Sequence, residues 1–141
     1  MDNDSKLRLL YVGNMLQKIE FSRFCRNLSA MQKSGISLVS SLKIVTTAVK
    51  NQCIATNIEK ACKLVEISGM NLAEALRKSG NFPETMTRLI EVGINSGQIC
   101  QVLDKISLRY EDEVDASLKK ITSLLEPIMI VFVGIIAGVV V

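Results

Sequence analysis

Residues 99–127 read ICQVLDKISLRYEDEVDASLKKITSLLEP, and the spacing of their apolar members decides the fold. Val102, Leu103, Ile106, Tyr110, Val114, Leu118, Ile121 and Leu125 recur every three or four residues, the interval that places side chains on one face of an α-helix. The spacing predicts one long helix from Ile99. It should stop or kink at Pro127, whose ring removes an amide donor and crowds the preceding turn. Glu111, Asp112, Glu113 and Asp115 fall on the solvent side of that helix, and Asp115 stands in the right order before Lys119 for an i,i+4 pair.

Upstream the same period repeats in shorter runs separated by turn residues. Phe21, Phe24, Cys25, Leu28 and Met31 share a helical face until Gly35. Ser37 can cap a second helix carrying Leu38, Leu42, Val45 and Val49, and Asn51 marks the break before a third carrying Ile54, Ile58, Ala61, Cys62 and Val65. Ser68-Gly69 closes that one. Asn71 followed by Glu74 reads as a capping box opening a short fourth helix that ends near Gly80. Pro83 suits the first turn of a fifth, with Met86, Leu89, Ile90 and Gly93 inward and Gly97 as its stop. No stretch sustains a two-residue alternation, so the fold class is all-α: a six-helix antiparallel bundle over residues 21–126, preceded by a basic lead-in or linker at 1–20.

Downstream of Pro127 the chemistry changes. Residues 128–141, IMIVFVGIIAGVVV, carry no charge and offer no polar face, which a buried core helix would still show. At about 1.5 Å per residue they span only about 21 Å, whereas a crossing takes about 20 residues, so residues 127–141 read as the truncated start of a transmembrane helix. Gly134 and Gly138 form a Gly-x-x-x-Gly pair that would let a neighbouring helix approach closely. Lys119 and Lys120 precede the apolar run, and residues 1–50 hold eight basic against three acidic side chains, placing residues 1–126 in the cytoplasm.

Composition excludes much else. Histidine and tryptophan are absent from the 141 residues, which removes histidine-based acid–base catalysis, histidine metal ligands and a Ser-His-Asp triad. No phosphate-binding glycine loop occurs. Basic residues exceed acidic ones by only three and are dispersed, which does not make a nucleic-acid footprint. Cys25, Cys53, Cys62 and Cys100 are unevenly spaced, with no Cys-x-x-Cys pair, and read as reduced core residues. No catalytic residue, cofactor site or metal site is assigned.

Several strings together resemble one family: Phe24-x-x-x-Leu28-x-x-Met31-x-x-x-Gly35-Ile36-Ser37-Leu38, Asn71-Leu72-Ala73-Glu74-Ala75-Leu76, Phe82-Pro83, Val92-Gly93-Ile94-Asn95-Ser96-Gly97 and Leu125-Glu126-Pro127. In this order they resemble the type II secretion system F domain of inner-membrane platform proteins in type II secretion and type IV pilus machines. Members carry two copies of the domain, each leading into a membrane segment, and the Lys18–Phe24 approach and the Leu-Glu-Pro junction are similar to the second. Where members often place acidic residues in the Gly-x-x-Ser-Gly turn, this chain has Ile94 and Asn95, so a metal contact is not carried over.

The resemblance implies a non-enzymatic platform coupling a separate assembly ATPase to pilin-like subunits, with other inner-membrane assembly proteins and further copies of itself as partners. The alternative is a membrane-anchored helical adaptor or signalling domain outside secretion, which neighbouring genes for a P-loop ATPase and pilin-like proteins would argue against. Glu111, Asp112, Glu113 and Asp115 are the candidate partner-binding face, set against the plainer reading of a solvated surface. Gly93 and Gly97 are the candidate structural turn, and Glu126, Pro127, Gly134 and Gly138 the membrane junction and helix-packing residues.

Overall fold

Side chains acting on backbone amides a few residues ahead set most of the helix boundaries. In the computed structural model, which describes residues 2–140 and the side chains of all of these except residues 2–9, 11, 121, 122, 124 and 125, there are six helices. They are α1 (Asp2–Lys33), α2 (Leu38–Ala48), α3 (Gln52–Ser68), α4 (Leu72–Ser79), α5 (Glu84–Ser96) and α6 (Ile99–Val140). The Ser37 hydroxyl accepts from the Ser40 amide at 3.3 Å, and Asn51 Oδ1 accepts from Cys53 and Ile54 at 3.0 and 3.3 Å. Asn71 Oδ1 accepts from the Glu74 amide at 2.9 Å, the Asn71 half of the capping box. Pro83 sits one position earlier than its sequence reading, as the residue that caps α5 rather than its first helical residue.

Each helix packs against its neighbours in the chain, and α1 against α6 closes the ring. Phe24, Cys25 and Leu28 from α1 meet Leu42 and Val45 from α2, Ile58 and Ala61 from α3, Leu72 and Leu76 from α4, Ile90 from α5 and Leu103 and Ile106 from α6 in one core. The α1–α6 pair is antiparallel: Ser22 bonds to Ser107 at 3.2 Å, the Ser29 hydroxyl donates to the Cys100 carbonyl at 3.2 Å, and Lys18 reaches Glu113.

Three expectations need correction. The lead-in at 1–20 is no separate linker, because α1 runs unbroken from Asp2; the segment is rich in Leu, Lys, Arg, Gln and Met, all good helix formers, and acids in its first turn suit the helix dipole. Nor does the last helix stop at Pro127, which lies inside α6. A proline forfeits one amide bond, and no Gly, Asn or Asp stands beside it to favour a turn. Third, the cysteines are not all core: Cys25 and Cys62 are buried, Cys100 is half-buried and Cys53 is exposed in the first turn of α3, although all four are free thiols. Among the described residues no helix is long and apolar enough to cross a membrane.

Candidate functional site

The turn between α5 and α6 contains two glycines with different work. Gly97 has φ +71°, and around it the Gly97 amide donates to Ile94 O at 3.3 Å and the Gln98 amide to Gly93 O at 2.9 Å, the bond pair of a Schellman stop. A side chain at that φ is disfavoured, so Gly97→Ala should cost about 1 kcal/mol in urea unfolding. Equal midpoints for mutant and parent would contradict the assignment. Gly93 supplies the carbonyl that closes this stop while itself lying buried within α5, facing α6, where an added Cβ would lie 3.0 Å from Val102 Cβ.

The acidic face is only partly a solvent face. Glu111 pairs with Arg26, and Glu113 lies 3.3 Å from Lys18 and 3.8 Å from Arg109, so both glutamates help tie α6 to α1. Lower on the same seam, Lys33 meets Asp104 at 2.5 Å, and its ammonium holds that carboxyl below the usual carboxylate range. Asp112 and Asp115 are exposed, and no ion pair among the described residues includes either of them. The Asp115–Lys119 pair expected from spacing is therefore not formed. Reversing charge with Glu111→Lys and Glu113→Lys should cost about 1–2 kcal/mol, because each change replaces an attraction to α1 by a repulsion at a partly exposed site. That cost should shrink in 0.5 M salt as the charges are screened; an unchanged melting temperature at low salt would contradict the seam.

The cations facing these acids were missed in the sequence. Lys18, Arg26 and Lys33 recur at intervals of seven or eight on α1, a signal that gains meaning only once α1 is known to lie antiparallel to α6. Glu20, placed in the lead-in by the sequence, is only 8% exposed, and its Oε2 has no hydrogen-bond partner among the described residues.

Burial pushes the Cys25 thiol far up and lifts the Tyr110 phenol to about 12, with charge at Cys25 and Glu113 adding to the second shift. Both groups hold their protons more tightly folded than unfolded. Their contribution to stability is complete below the unfolded values, about 8.5 for a thiol and 10 for a phenol, and is lost as pH rises beyond them. Melting temperature should therefore fall from about pH 9 upward, and Tyr110→Phe should flatten the part above pH 10. A flat profile from pH 8 to 11 would contradict both assignments.

Beyond residue 126 the helix stands alone. Ile128 is 56% exposed, Phe132 63% and Val140 81%, and every residue from 126 to 140 is exposed. Nothing lies within 4 Å of a Cβ built on Gly134 or Gly138, so that side of the helix is open to a neighbour. An uninterrupted apolar surface of this kind marks a lipid or protein contact. Among the described residues, no three His, Cys, Asp or Glu side chains gather as a metal site.

Comparison with known proteins adds a family to this geometry. Residues 24–141 match the family described as type II secretion system (T2SS), protein F. The chain is 30% identical over 135 residues to type II secretion system protein F of Pseudomonas aeruginosa, covering 96% of this chain and 33% of that protein. It is 32% identical over 137 residues to the type IV pilus assembly protein PilC of Thermus thermophilus, covering 96% and 34%, and 34% identical over 139 residues to TapC of Aeromonas hydrophila, covering 97% and 33%. The chain thus spans about a third of the length of the curated relatives it matches.

Proposed function

Because the chain belongs to the type II secretion system protein F family, we propose that it serves as the helical body and membrane-insertion end of an inner-membrane platform protein, coupling a separate cytoplasmic assembly ATPase to pilin-like subunits. It does so without chemistry of its own. The observation that carries this reading is the continuity of α6, one helix from the α5 turn to the last described residue. Its first half is clamped in the bundle through Leu103, Ile106 and the ion pairs to α1, and its last turns are wholly apolar and exposed. A tilt or rotation of the bundle is transmitted along such a helix without a hinge loop to absorb it.

Residues 128–140, the apolar last turns of α6, enter the membrane, Lys119 and Lys120 keep the preceding segment on the cytoplasmic side, and Gly134 and Gly138 offer a packing face to a neighbouring membrane helix. The chain's relatives bear secretion and pilus-assembly names, which supports an ATPase, other assembly proteins, pilin-like subunits and further copies of this chain as the partners. Asp112 and Asp115, the acids not engaged with α1, are the part of the acidic face left for a basic partner surface.

Flotation with phospholipid vesicles tests the membrane half. The parent chain should rise with the vesicles, and the double variant Val131→Lys, Ile135→Lys should remain below at unchanged helix content, since a charge at the bilayer centre costs several kcal/mol. A parent chain that stays in the dense fractions would overturn the reading.

A further inference from the structure

Where α1 runs on past the bundle, it leaves a cleft of about 240 Å³ against α5 and α6. The floor is apolar: Phe21, Met86, Leu89, Ile106 and the ring of Tyr110. That volume lies below the usual range of sites for whole small ligands and suits one or two side chains of another protein. At the mouth, Lys18 and Arg109 both turn to the same carboxylate, Glu113, at 3.3 and 3.8 Å. Two cations sharing one anion leave a positive excess at the lip of an apolar cavity. The longer contact, at the limit of an ion pair, leaves the Arg109 guanidinium with donors to spare for a second carboxylate. The beginning of α5 adds the same sign, since Thr85 and Met86 line the cleft and Pro83 supplies no side-chain cap to that helix end.

We propose that this cleft is a docking site for a partner protein that inserts a bulky aliphatic side chain with a carboxylate beside it. The apolar group fills the floor formed by Met86, Leu89 and Ile106, while the carboxylate meets Arg109 and Lys18. The occupant is thus acidic and apolar, the opposite of the basic surface that the outer acids of α6 would attract. This inference deepens the platform reading by naming where on the bundle a partner binds, and it rests on that reading for the partner's existence.

The test uses the full chain in lipid nanodiscs, with N-acetyl-leucine as the probe and N-acetyl-leucinamide as its uncharged match, followed by methyl NMR. The carboxylate form should shift the methyl signals of Met86, Leu89 and Ile106 saturably and bind about tenfold more tightly than the amide, the usual worth of a hydrogen bond to a charged group. The double variant Lys18→Gln, Arg109→Gln should erase the difference between the two probes while leaving the floor signals in place, and Leu89→Glu should abolish both. Equal binding of the two probes, or shifts away from the floor residues, would overturn the proposal. Floor shifts that appear without probe and grow with protein concentration would assign the cleft to a second copy of the chain and overturn it as well. Vesicle flotation reports on the platform reading separately, so a failure here is not confused with a failure there.

Discussion

Phe24→Ala lowers the stability of the bundle by about 3–5 kcal/mol, the range for removing a fully buried aromatic ring. Phe24 has no exposed surface, and its ring centroid lies 6.2 Å from that of Phe82, in the connection between α4 and α5. Phe82 in turn lies 5.8 Å from Phe21, and Phe21 lies 6.0 Å from Tyr110 on α6. Four of the chain's six aromatic rings therefore join α1, the α4–α5 connection and α6. Removing the Phe24 ring costs its transfer free energy and leaves a cavity that its packed neighbours, Phe82 among them, cannot fill without leaving their rotamers. A domain of this size holds only about 5–15 kcal/mol in total, so the variant should show a much lower denaturant midpoint or fail to fold at 37 °C. A midpoint within experimental error of the parent would mean that this ring is not at the centre of the core.

Gly93→Ala is the second large effect, and its cause is the reverse: too much side chain rather than too little. The new Cβ would stand 3.0 Å from Val102 Cβ, 3.0 Å from Val102 Cγ2 and 3.2 Å from the Ile99 Cα. Val102 is β-branched and stiff at χ1, and the Ile99 contact is backbone, so neither can turn aside. The helices must separate instead, at a cost of about 1–3 kcal/mol. Gly134→Ala is the control, because nothing lies within 4 Å of the Cβ it adds. If the two alanine variants unfold at the same urea concentration, the close approach of α5 and α6 at Gly93 is wrong.

These two sites differ in how far the sequence announces them. Helical period places Phe24 on the buried face without any structure, and the caps at Ser37 and Asn71 are equally plain, because each acts on an amide three residues away in the chain; Asn51, legible as a break, proves to be a cap of the same kind. Gly97 belongs to the same class, since its bonds close within five residues. Gly93 is visible as an inward position, but its contact with Val102 depends on how the α5–α6 turn folds back.

The acidic face shows the same limit more sharply. From composition alone Glu111, Asp112, Glu113 and Asp115 look equivalent; the register of α1 against α6 separates them into two that hold the fold and two that face outward. Nothing local in the sequence encodes that register. Pro127 is a different case: of the stop or kink that the local rule allows, the stop does not occur, because one missing hydrogen bond is a smaller loss than ending a helix of 42 residues.

Coupling without catalysis, the role proposed for this chain, is read from the hydrolysis rate of a purified assembly ATPase. Titrating the full chain in lipid nanodiscs into that ATPase should change its rate of ATP hydrolysis saturably, while the chain alone releases no phosphate above background. Phosphate release by the chain alone at an enzymatic rate, or an ATPase rate indifferent to the chain at every concentration, would contradict the account.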